Sequence, residues 1–499
     1  MNDTVVIAGG GPAGLMLACE LQLAGVPAVV LEGRPVRERS SGGMLLHARS
    51  VDALRRRGLA DRFRDATTPV WPRTHFAFLW LDLSELGETD YDLIVPQWRT
   101  EELLEQRAVE LGVRVLPGHR LTGLRQDADG VAVRVRSAAG EQVLRCAYLV
   151  GCDGPHSTVA ELGGFAFRTL APSYYGVIAD VAVSGDAQEH FRAGVHPDGQ
   201  FGVLPMNPRD PSEVRLMTVE FDREPPAADV PVTAEEMRAA IRRITGADAD
   251  FAEPRWMTRY GSPTRLATSY RRGRLLLAGD AAHPHPPSSG NGLNTALHDS
   301  VNLGWKLAAT IHGWAPPGLL DTYHDERHPV GRRACLRALA QVPLQHPPER
   351  AEPLRELFAE LIEFPEVNRH LVQAVTRVRY PIAYPGLPAK ASPLLGATLP
   401  DVTLRTADGE VEAAGLLAGG RGLLLSLGVD EAPDLTGWAD RLDVVRADEA
   451  EDLDARWLLV RPDGHIAWVD TGEGDREGLR AAVTTWFGPA RKPRTARRV

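Results

Sequence analysis

Residues Gly9-Gly10-Gly11-Pro12-Ala13-Gly14 form a G-x-G-x-x-G string close to the start of the chain. In such a string Gly9 permits a tight turn and Gly11 lets the backbone approach a pyrophosphate. Gly14 lets a helix pack closely on a sheet. The helix that follows offers free N–H groups and the positive end of its dipole to phosphate oxygens. Glu32 ends the next β-rich run, where a carboxylate accepts hydrogen bonds from ribose hydroxyls. Two further aspartates follow apolar runs: Asp153 after Leu149-Val150-Gly151-Cys152, and Asp280 after Leu275-Leu276-Leu277-Ala278-Gly279. Open α/β sheets bind ligands beyond the carboxyl ends of their strands. Asp280 is suited there to accept from a ribityl or ribose hydroxyl. Together these residues predict a dinucleotide site.

The elements that must position them can be read from periodicity. Thr4 to Ala8 and Ala28 to Leu31 are strand-like and flank a helical stretch, Ala13 to Ala24. Glu101 to Leu111 is helical. Val113 to Leu116, Gly123 to Gln126, Val131 to Val135 and Tyr148 to Val150 are strand-like. Residues 166–260 are mostly strands with Pro/Gly breaks, interrupted by a helix at Ala234 to Ile244. Arg274 to Ala278 returns to a buried strand pattern. Helices at Ala296 to Ile311 and Asp325 to Gln341 follow. A Pro/Gly-rich stretch, Tyr380 to Pro393, reads as a linker. Beyond it, strands at Leu423 to Leu427, Val444 to Val445, Trp457 to Val460 and Ile466 to Val469, with a helix at Arg480 to Phe487, describe a small α/β unit.

Composition sets the limits. Of 499 residues, 43% are hydrophobic and 24% charged, which supports a packed globular chain rather than a disordered one. The longest apolar runs are too short for a bilayer span. A net charge of −10 is unfavourable for phosphate-backbone binding, so no nucleic-acid partner is expected. The five Lys or Arg residues of the 489–499 tail read as a solvated end. Cys19, Cys146, Cys152 and Cys335 match no zinc or redox spacing, and a reducing cytoplasm fits them. Met1 to Ala8 lacks a basic region and a cleavage site, so no signal peptide is expected. His283 and His285 flank Pro284 with no further ligands converging. A role in the loop is expected there rather than a metal site.

With these motifs in order, and most specifically over Gly273 to Leu307, the sequence resembles the group A flavoprotein monooxygenases, the para-hydroxybenzoate hydroxylase fold. Within that family it is most similar to the polyketide hydroxylase and rifampicin monooxygenase branch, through Pro96 to Val113 and Trp305 to His328. The resemblance implies a Rossmann-like FAD-binding domain of residues 1–75, 97–165 and 262–385 that includes a helical middle region. It implies an inserted β-sheet substrate domain of residues 76–96 and 166–261, and a thioredoxin-like α/β domain at 393–488. The last holds no cysteine and so cannot perform thiol–disulfide exchange.

The resemblance also implies site residues. Gly9, Gly11, Pro12, Ala13, Gly14 and Glu32 would bind the ADP part of FAD, and Gln97 would lie near the adenosine side. Asp153 would serve FAD and the NADPH approach, and Asp280 the ribityl chain. Pro286, Pro287, Gly292, Leu293 and Asn294 would run past the isoalloxazine ring, with backbone N–H groups stabilising negative charge on reduced flavin. Arg265 matches a recurring arginine of no assigned role. The reaction implied is NAD(P)H-dependent reduction of FAD, addition of O₂ to give a C4a-hydroperoxyflavin, and hydroxylation of a large aromatic substrate. Phe76, Phe78, Trp80, Phe201, Leu204, Met206, Met217, Trp256 and Tyr260 are the candidates for its pocket. Baeyer–Villiger insertion, epoxidation, oxidative rearrangement and non-catalytic binding of an aromatic antibiotic are the rival readings. A flavin halogenase is disfavoured because no lysine precedes Lys306. A monomer or homodimer is expected. Three positions depart from the family pattern: Gly42-Gly43 where it has Arg-Gly, Pro155-His156 after Asp153-Gly154 where it has Gly-Arg, and Ser289-Gly290-Asn291-Gly292 where it has Gly-Gly-Gln-Gly.

Overall fold

A computed structural model describes residues 3–491 apart from 38–41, 65–67, 85–90, 172–173, 184–190, 192, 208–209, 222, 228–229, 262–263, 288–289, 377–378, 383–391, 430–432, 449, 451–452 and 471–473. The chain has a mixed α/β fold. Its first layer is a six-stranded sheet in the order Arg271–Arg272, Leu275–Leu277, Tyr148–Gly151, Val5–Ala8, Ala28–Glu32, Arg114–Pro117. All neighbours pair in parallel except the edge hairpin formed by the first two. The central strand Val5–Ala8 is buried throughout, as a parallel strand covered on both faces must be. Helix Pro12–Leu23 covers one face and packs against helix Asn291–Ile311.

The strand-rich middle becomes a five-stranded antiparallel sheet ordered Gly194–His196, Gly199–Asn207, Asp210–Val219, Gly176–Ala182, Trp256–Tyr260. Helix Ala234–Thr245, capped by Thr233, covers one face through Met237, Ile241 and Ile244. Residues 76–96 pair elsewhere. Leu79–Asp82 forms a hairpin with Arg73–Phe76, and Asp92–Ile94 pairs with Leu45–His47 and Val70–Trp71. Strand Gly140–Cys146, too polar to register as a strand, completes a three-stranded sheet with the two runs before it.

Two features of the helical region differ from the sequence reading. Helices Pro348–Ile362 and Pro365–Thr376 stand where none was predicted. The expected linker begins with packed residues: Tyr380 and Ile382 are buried in a core that also holds Trp305, Trp457, Trp468 and Phe487. Residues 383–391 of that stretch and 492–499 of the basic tail lie outside the described residues. The C-terminal unit is a four-stranded mixed sheet, Leu442–Ala447, Gly422–Leu427, Trp457–Val460, Ile466–Asp470, with helix Arg476–Phe487 against it. Its core is continuous with helix Asn291–Ile311, so it is docked rather than tethered. No described helix is long and apolar enough to cross a membrane.

Candidate active site

A groove of about 520 Å³ opens at the carboxyl ends of the parallel strands. That is within the range of pockets that take organic cofactors. Gly9, Gly11, Pro12, Ala13, Glu32, Gln97, Asp153, Asp280, Gly292 and Leu293 line it together. The glycines divide the work by position. Gly9 has φ +106°, and a Cβ there would fall 2.2 Å from the Cys152 carbonyl oxygen. A Cβ on Gly14 would fall 2.0 Å from the Gly9 oxygen, so this residue seats the helix and does not line the groove. A Cβ on Gly11 would meet nothing within 4 Å, because it would project into the groove. Backbone here can therefore approach a ligand closely, as a pyrophosphate requires.

Glu32 is held in place by its own surroundings. Its Oε2 accepts the Gly10 N–H at 3.0 Å, and Oε1 accepts the Arg34 N–H at 2.8 Å and Nε–H at 3.0 Å. Burial alone would raise this carboxyl, but the bonds from Arg34 hold it below the usual range. Gln97 begins helix Gln97–Glu110 and donates Nε2 to Glu101 at 2.9 Å. Asp153 accepts from Ser157 Oγ at 2.5 Å and from the Val159 N–H at 3.1 Å, so it shapes the turn into helix Thr158–Leu162. Burial outweighs these bonds and raises its pKa. Asp280 differs from both. It is exposed in the groove and makes no hydrogen bond or ion pair with a described residue. It is the carboxylate left to accept from a ligand hydroxyl.

Asp280 sits on a one-turn helix, Gly279–Ala281, which buried charges hold in place. Asp299 Oδ2 accepts the Gly279 N–H at 3.0 Å and pairs with His283 Nε2 at 2.7 Å. Its Oδ1 accepts Arg327 Nε at 2.7 Å, and Arg327 Nη1 continues to the Tyr380 hydroxyl at 3.0 Å. Burial would raise Asp299, but Arg327 and His283 hold it down to about 2. Sequence reasoning missed Asp299 and Arg327, which lie mid-helix in no local motif. It left His283 without a partner. His285 Nδ1 faces the Pro286 oxygen at 2.9 Å. No group of metal-ligating side chains occurs among the described residues.

The stabilisation from Asp299 is present above the usual pKa of 3.8 and is lost as pH falls through about 2. Asp299→Asn is therefore expected to cost on the order of 2 kcal/mol at pH 7. The gap to the natural protein should narrow on acidification below pH 4, as read by urea unfolding at both pH values. A gap that stays constant would remove the ion network from the account.

The segment leading into helix Asn291–Ile311 is stitched down by Asn294. Its Nδ2 donates to Leu45 O and Gly290 O at 3.0 and 2.9 Å, and its Oδ1 accepts the His47 N–H at 2.9 Å. Its side chain is thus committed to structure. Gly292 and Leu293 stand in the first turn of the helix, where backbone N–H groups lack helical acceptors. Pro287 O lies 3.5 Å from the hydroxyl of Tyr174, just before strand Gly176–Ala182. Ser289 falls outside the described residues. Arg265 donates Nη2 to Pro155 O at 2.7 Å and so ties down the loop that carries Asp153.

The nine pocket candidates separate into three groups. Leu204, Met206, Met217, Trp256 and Tyr260 share the face of the five-stranded sheet turned away from helix Ala234–Thr245, and all are half-buried. Phe201 lies on the opposite face, buried under that helix with Val214 and Leu216. Phe76 is buried against Phe358 and the Arg337 guanidinium, while Phe78 and Trp80 are exposed on the same hairpin. Arg215 was not anticipated. It pairs with Asp180 at 2.6 Å, lies over Trp256, and donates Nη1 to Gly42 O at 2.9 Å. A guanidinium from the five-stranded sheet thus reaches the loop where the resembled family has an arginine of its own. Tyr174 stands edge-on to Tyr260 and Phe221, and Phe221 stacks on His346, which extends an aromatic wall from the flavin loop.

Comparisons with known proteins place the chain in a family. Residues 2–338 match the FAD binding domain family, and residues 392–490 match the aromatic-ring hydroxylase C-terminal family. Among curated proteins, the chain is 43% identical to 12-dehydrotetracycline 5-monooxygenase/anhydrotetracycline 6-monooxygenase of Streptomyces rimosus, covering 98% of this chain and 99% of that one. It is 42% identical to dialkyldecalin synthase of Streptomyces rugosporus, covering 98% and 100%. It is 40% identical to rifampicin monooxygenase of Streptomyces venezuelae, covering 97% and 99%. The solved structure of OxyS anhydrotetracycline hydroxylase from Streptomyces rimosus superposes with a TM-score of 0.90 at 42% identity, covering 98% of this chain and 100% of that one.

Proposed function

The chain belongs to the FAD-dependent aromatic-ring hydroxylases, and from that premise we propose that it hydroxylates a large polycyclic aromatic natural product of polyketide or ansamycin type. It is an FAD-dependent monooxygenase, and NAD(P)H and O₂ are the usual co-substrates of its family. Bound FAD supplies the redox chemistry, taking electrons from the nicotinamide and passing one oxygen atom of O₂ to the substrate. The protein's part is to bind, orient and exclude water. Gly9, Gly11 and the first turn of helix Pro12–Leu23 would hold the pyrophosphate, Glu32 the ribose, and Asp280 the ribityl chain. The first-turn N–H groups of Gly292 and Leu293 would face the flavin's negative edge.

One observation carries the substrate reading. The half-buried face bearing Leu204, Met206, Met217, Trp256 and Tyr260 meets the flavin loop where Tyr174 reaches Pro287. Flat aromatic rings fit such a surface of thioether and ring edges. Burial pushes the Tyr260 phenol well above its usual pKa, so it stays neutral. Phe201, Phe76, Phe78 and Trp80 are assigned no pocket role. Residues 76–96 are assigned to the flavin-binding unit with 1–75, 97–165 and 262–385, on the support of their strand pairing. Residues 166–261 form the substrate unit. The four-stranded sheet at 393–488 is assigned a thioredoxin-like origin and a docking role. A cytoplasmic setting fits the free, buried cysteines.

The test is anaerobic reduction of the flavin by NADPH, with and without a panel of anthracyclic, angucyclic and rifamycin-type phenols. One ligand is expected to speed reduction at least roughly tenfold and then gain one oxygen atom in air. Met217→Trp should lower kcat/KM for that ligand by roughly 10- to 100-fold while flavin content is unchanged. The 42% identity to dialkyldecalin synthase favours one other reading, catalysis on the same scaffold without oxygen transfer. Conversion of a ligand with no O₂ uptake would support that reading and overturn hydroxylation.

A further inference from the structure

Behind helix Asn291–Ile311 lies a second, smaller chamber. The groove is lined by Gly292, Leu293 and Ala296, whereas Asn291, Thr295 and His298 turn to the chamber from the other side of the helix. Its volume is about 30 Å³, and its far wall is His465 and Thr398 of the C-terminal unit. A space of that size holds one monatomic ion or about two waters.

The lining carries an uncompensated charge. Arg56 is only 5% exposed, and the one hydrogen bond of its guanidinium to a described residue runs from Nη2 to Leu399 O at 3.3 Å. No carboxylate among the described residues lies within ion-pairing distance of it. Asp52 is engaged with Arg49 and Arg55, Asp463 with Arg461, and Asp299 with Arg327. Buried guanidinium groups are otherwise paired, because an unpaired one loses its hydration without return. Several donors around the same space also lack partners: Arg56 Nε, Asn291 Nδ2 and Ser50 Oγ, with His47 Nε2 and His465 Nε2 beside them. Arg56 Nε and Asn291 Nδ2 can only donate. His47 Nδ1 faces Asp92 Oδ1 at 2.7 Å, which orients the ring with Nε2 toward the chamber. An unpaired guanidinium ringed by unsatisfied donors in an ion-sized space matches an anion.

We propose that this chamber is a binding site for one monatomic anion of halide size, chloride under ordinary ionic conditions, held by Arg56, Asn291 and Ser50 between the flavin-loop helix and the C-terminal unit. The bound anion bridges the Ser50/Arg56 helix and the Asn291 helix beside the C-terminal unit, so its loss loosens the seating of that unit. The inference stands independently of the substrate assigned above, and its test does not read turnover.

The full-length, flavin-loaded protein is crystallised without halide and soaked in sodium bromide. Its melting temperature is measured in parallel against chloride, with gluconate holding ionic strength constant. An anomalous bromine peak in the chamber and a saturable chloride-dependent rise in melting temperature are expected. Arg56→Met should abolish the peak and raise the half-saturating chloride concentration at least about tenfold. Ser50→Ala and Asn291→Ala, milder at a buried site, should each weaken halide binding severalfold and serve if Arg56→Met does not fold. Absence of bromine from the chamber overturns the proposal, whether waters fill it or bromide binds only elsewhere. So does a chloride response identical in the natural protein and all three variants.

Discussion

Replacing Gly9 with alanine is expected to yield a destabilised protein that purifies without flavin, whereas Gly11→Ala is expected to yield a stable one with the same deficit. The two glycines lie two residues apart in one loop, but their surroundings are opposite. At Gly9, φ is +106° and an added Cβ would come within 2.2 Å of the Cys152 carbonyl oxygen and 2.9 Å of the Asp153 nitrogen. The Cys152 N–H donates to Ala8 O at 2.7 Å, so the loop cannot retreat without opening the end of the central strand pairing. Backbone strain and overpacking each cost roughly 1 to 3 kcal/mol, so a total loss of roughly 2 to 6 kcal/mol follows. At Gly11 the added methyl meets no protein atom within 4 Å, so the fold loses little. The methyl instead occupies the approach to a pyrophosphate, and FAD affinity should fall roughly 100-fold or more. Urea unfolding together with the ratio of flavin to protein absorbance separates the two. If Gly11→Ala retained full flavin at natural stability, the pyrophosphate would have to bind elsewhere in the groove.

That contrast also marks what a sequence can disclose. The glycine string, Glu32 and Asp280 are legible because each role depends on local backbone: a strand end, a turn, a helix start. Arg215 and Asp299 are not, because their partners are supplied by distant chain. Asp299 lies mid-helix with an ordinary spacing, and only the packed fold brings His283, Arg327 and the Gly279 N–H to it. Phe201 illustrates a different failure. It is a pocket candidate alongside Leu204, yet positions three apart on a strand face opposite ways. Strict alternation would have placed Phe201 with Val203, and Leu204 with Met206. The hairpin Arg73–Phe76/Leu79–Asp82 is hard to place from sequence, because an aromatic cluster reads alike whether it lines a cavity or anchors to helices. Here its fixing bonds come from Gln341 and Arg355, far along the chain. The five-stranded sheet was legible as strands, but its exposed face was not, because register is set by pairing.

The docking of the C-terminal unit gives the second large expected effect. Arg461 is fully buried and joins two units in one charge cluster. Its Nη1 and Nη2 donate to Glu326 at 2.6 and 2.8 Å, and it also pairs with Asp463. Lys306 Nζ reaches Glu326 Oε2 at 2.7 Å, and Trp305 Nε1 reaches Asp463 Oδ2 at 3.3 Å. Two cations and two carboxylates balance. Arg461→Met leaves Lys306 alone against Glu326 and Asp463, and loss of one partner from such a buried set costs roughly 3 to 5 kcal/mol. Lys306 and Trp305 belong to the helix whose first turn faces the flavin groove. The damage should therefore appear as early release of the C-terminal unit in limited proteolysis and as weaker flavin retention. The pH dependence has a definite sign. Burial would raise the Glu326 carboxyl, but Arg461 and Lys306 hold it down to about 2. Its stabilisation is thus present above the usual 4.5 and persists until pH falls through about 2. Without Arg461 that carboxyl titrates higher, so protonation relieves the variant first and the gap to the natural protein narrows between pH 7 and 4. Asp463→Asn added to Arg461→Met should restore part of the loss at pH 7, because it removes the surplus negative charge. If the second change brought no recovery, the cost would lie in lost packing of the guanidinium between Trp305 and Trp486, which it also touches.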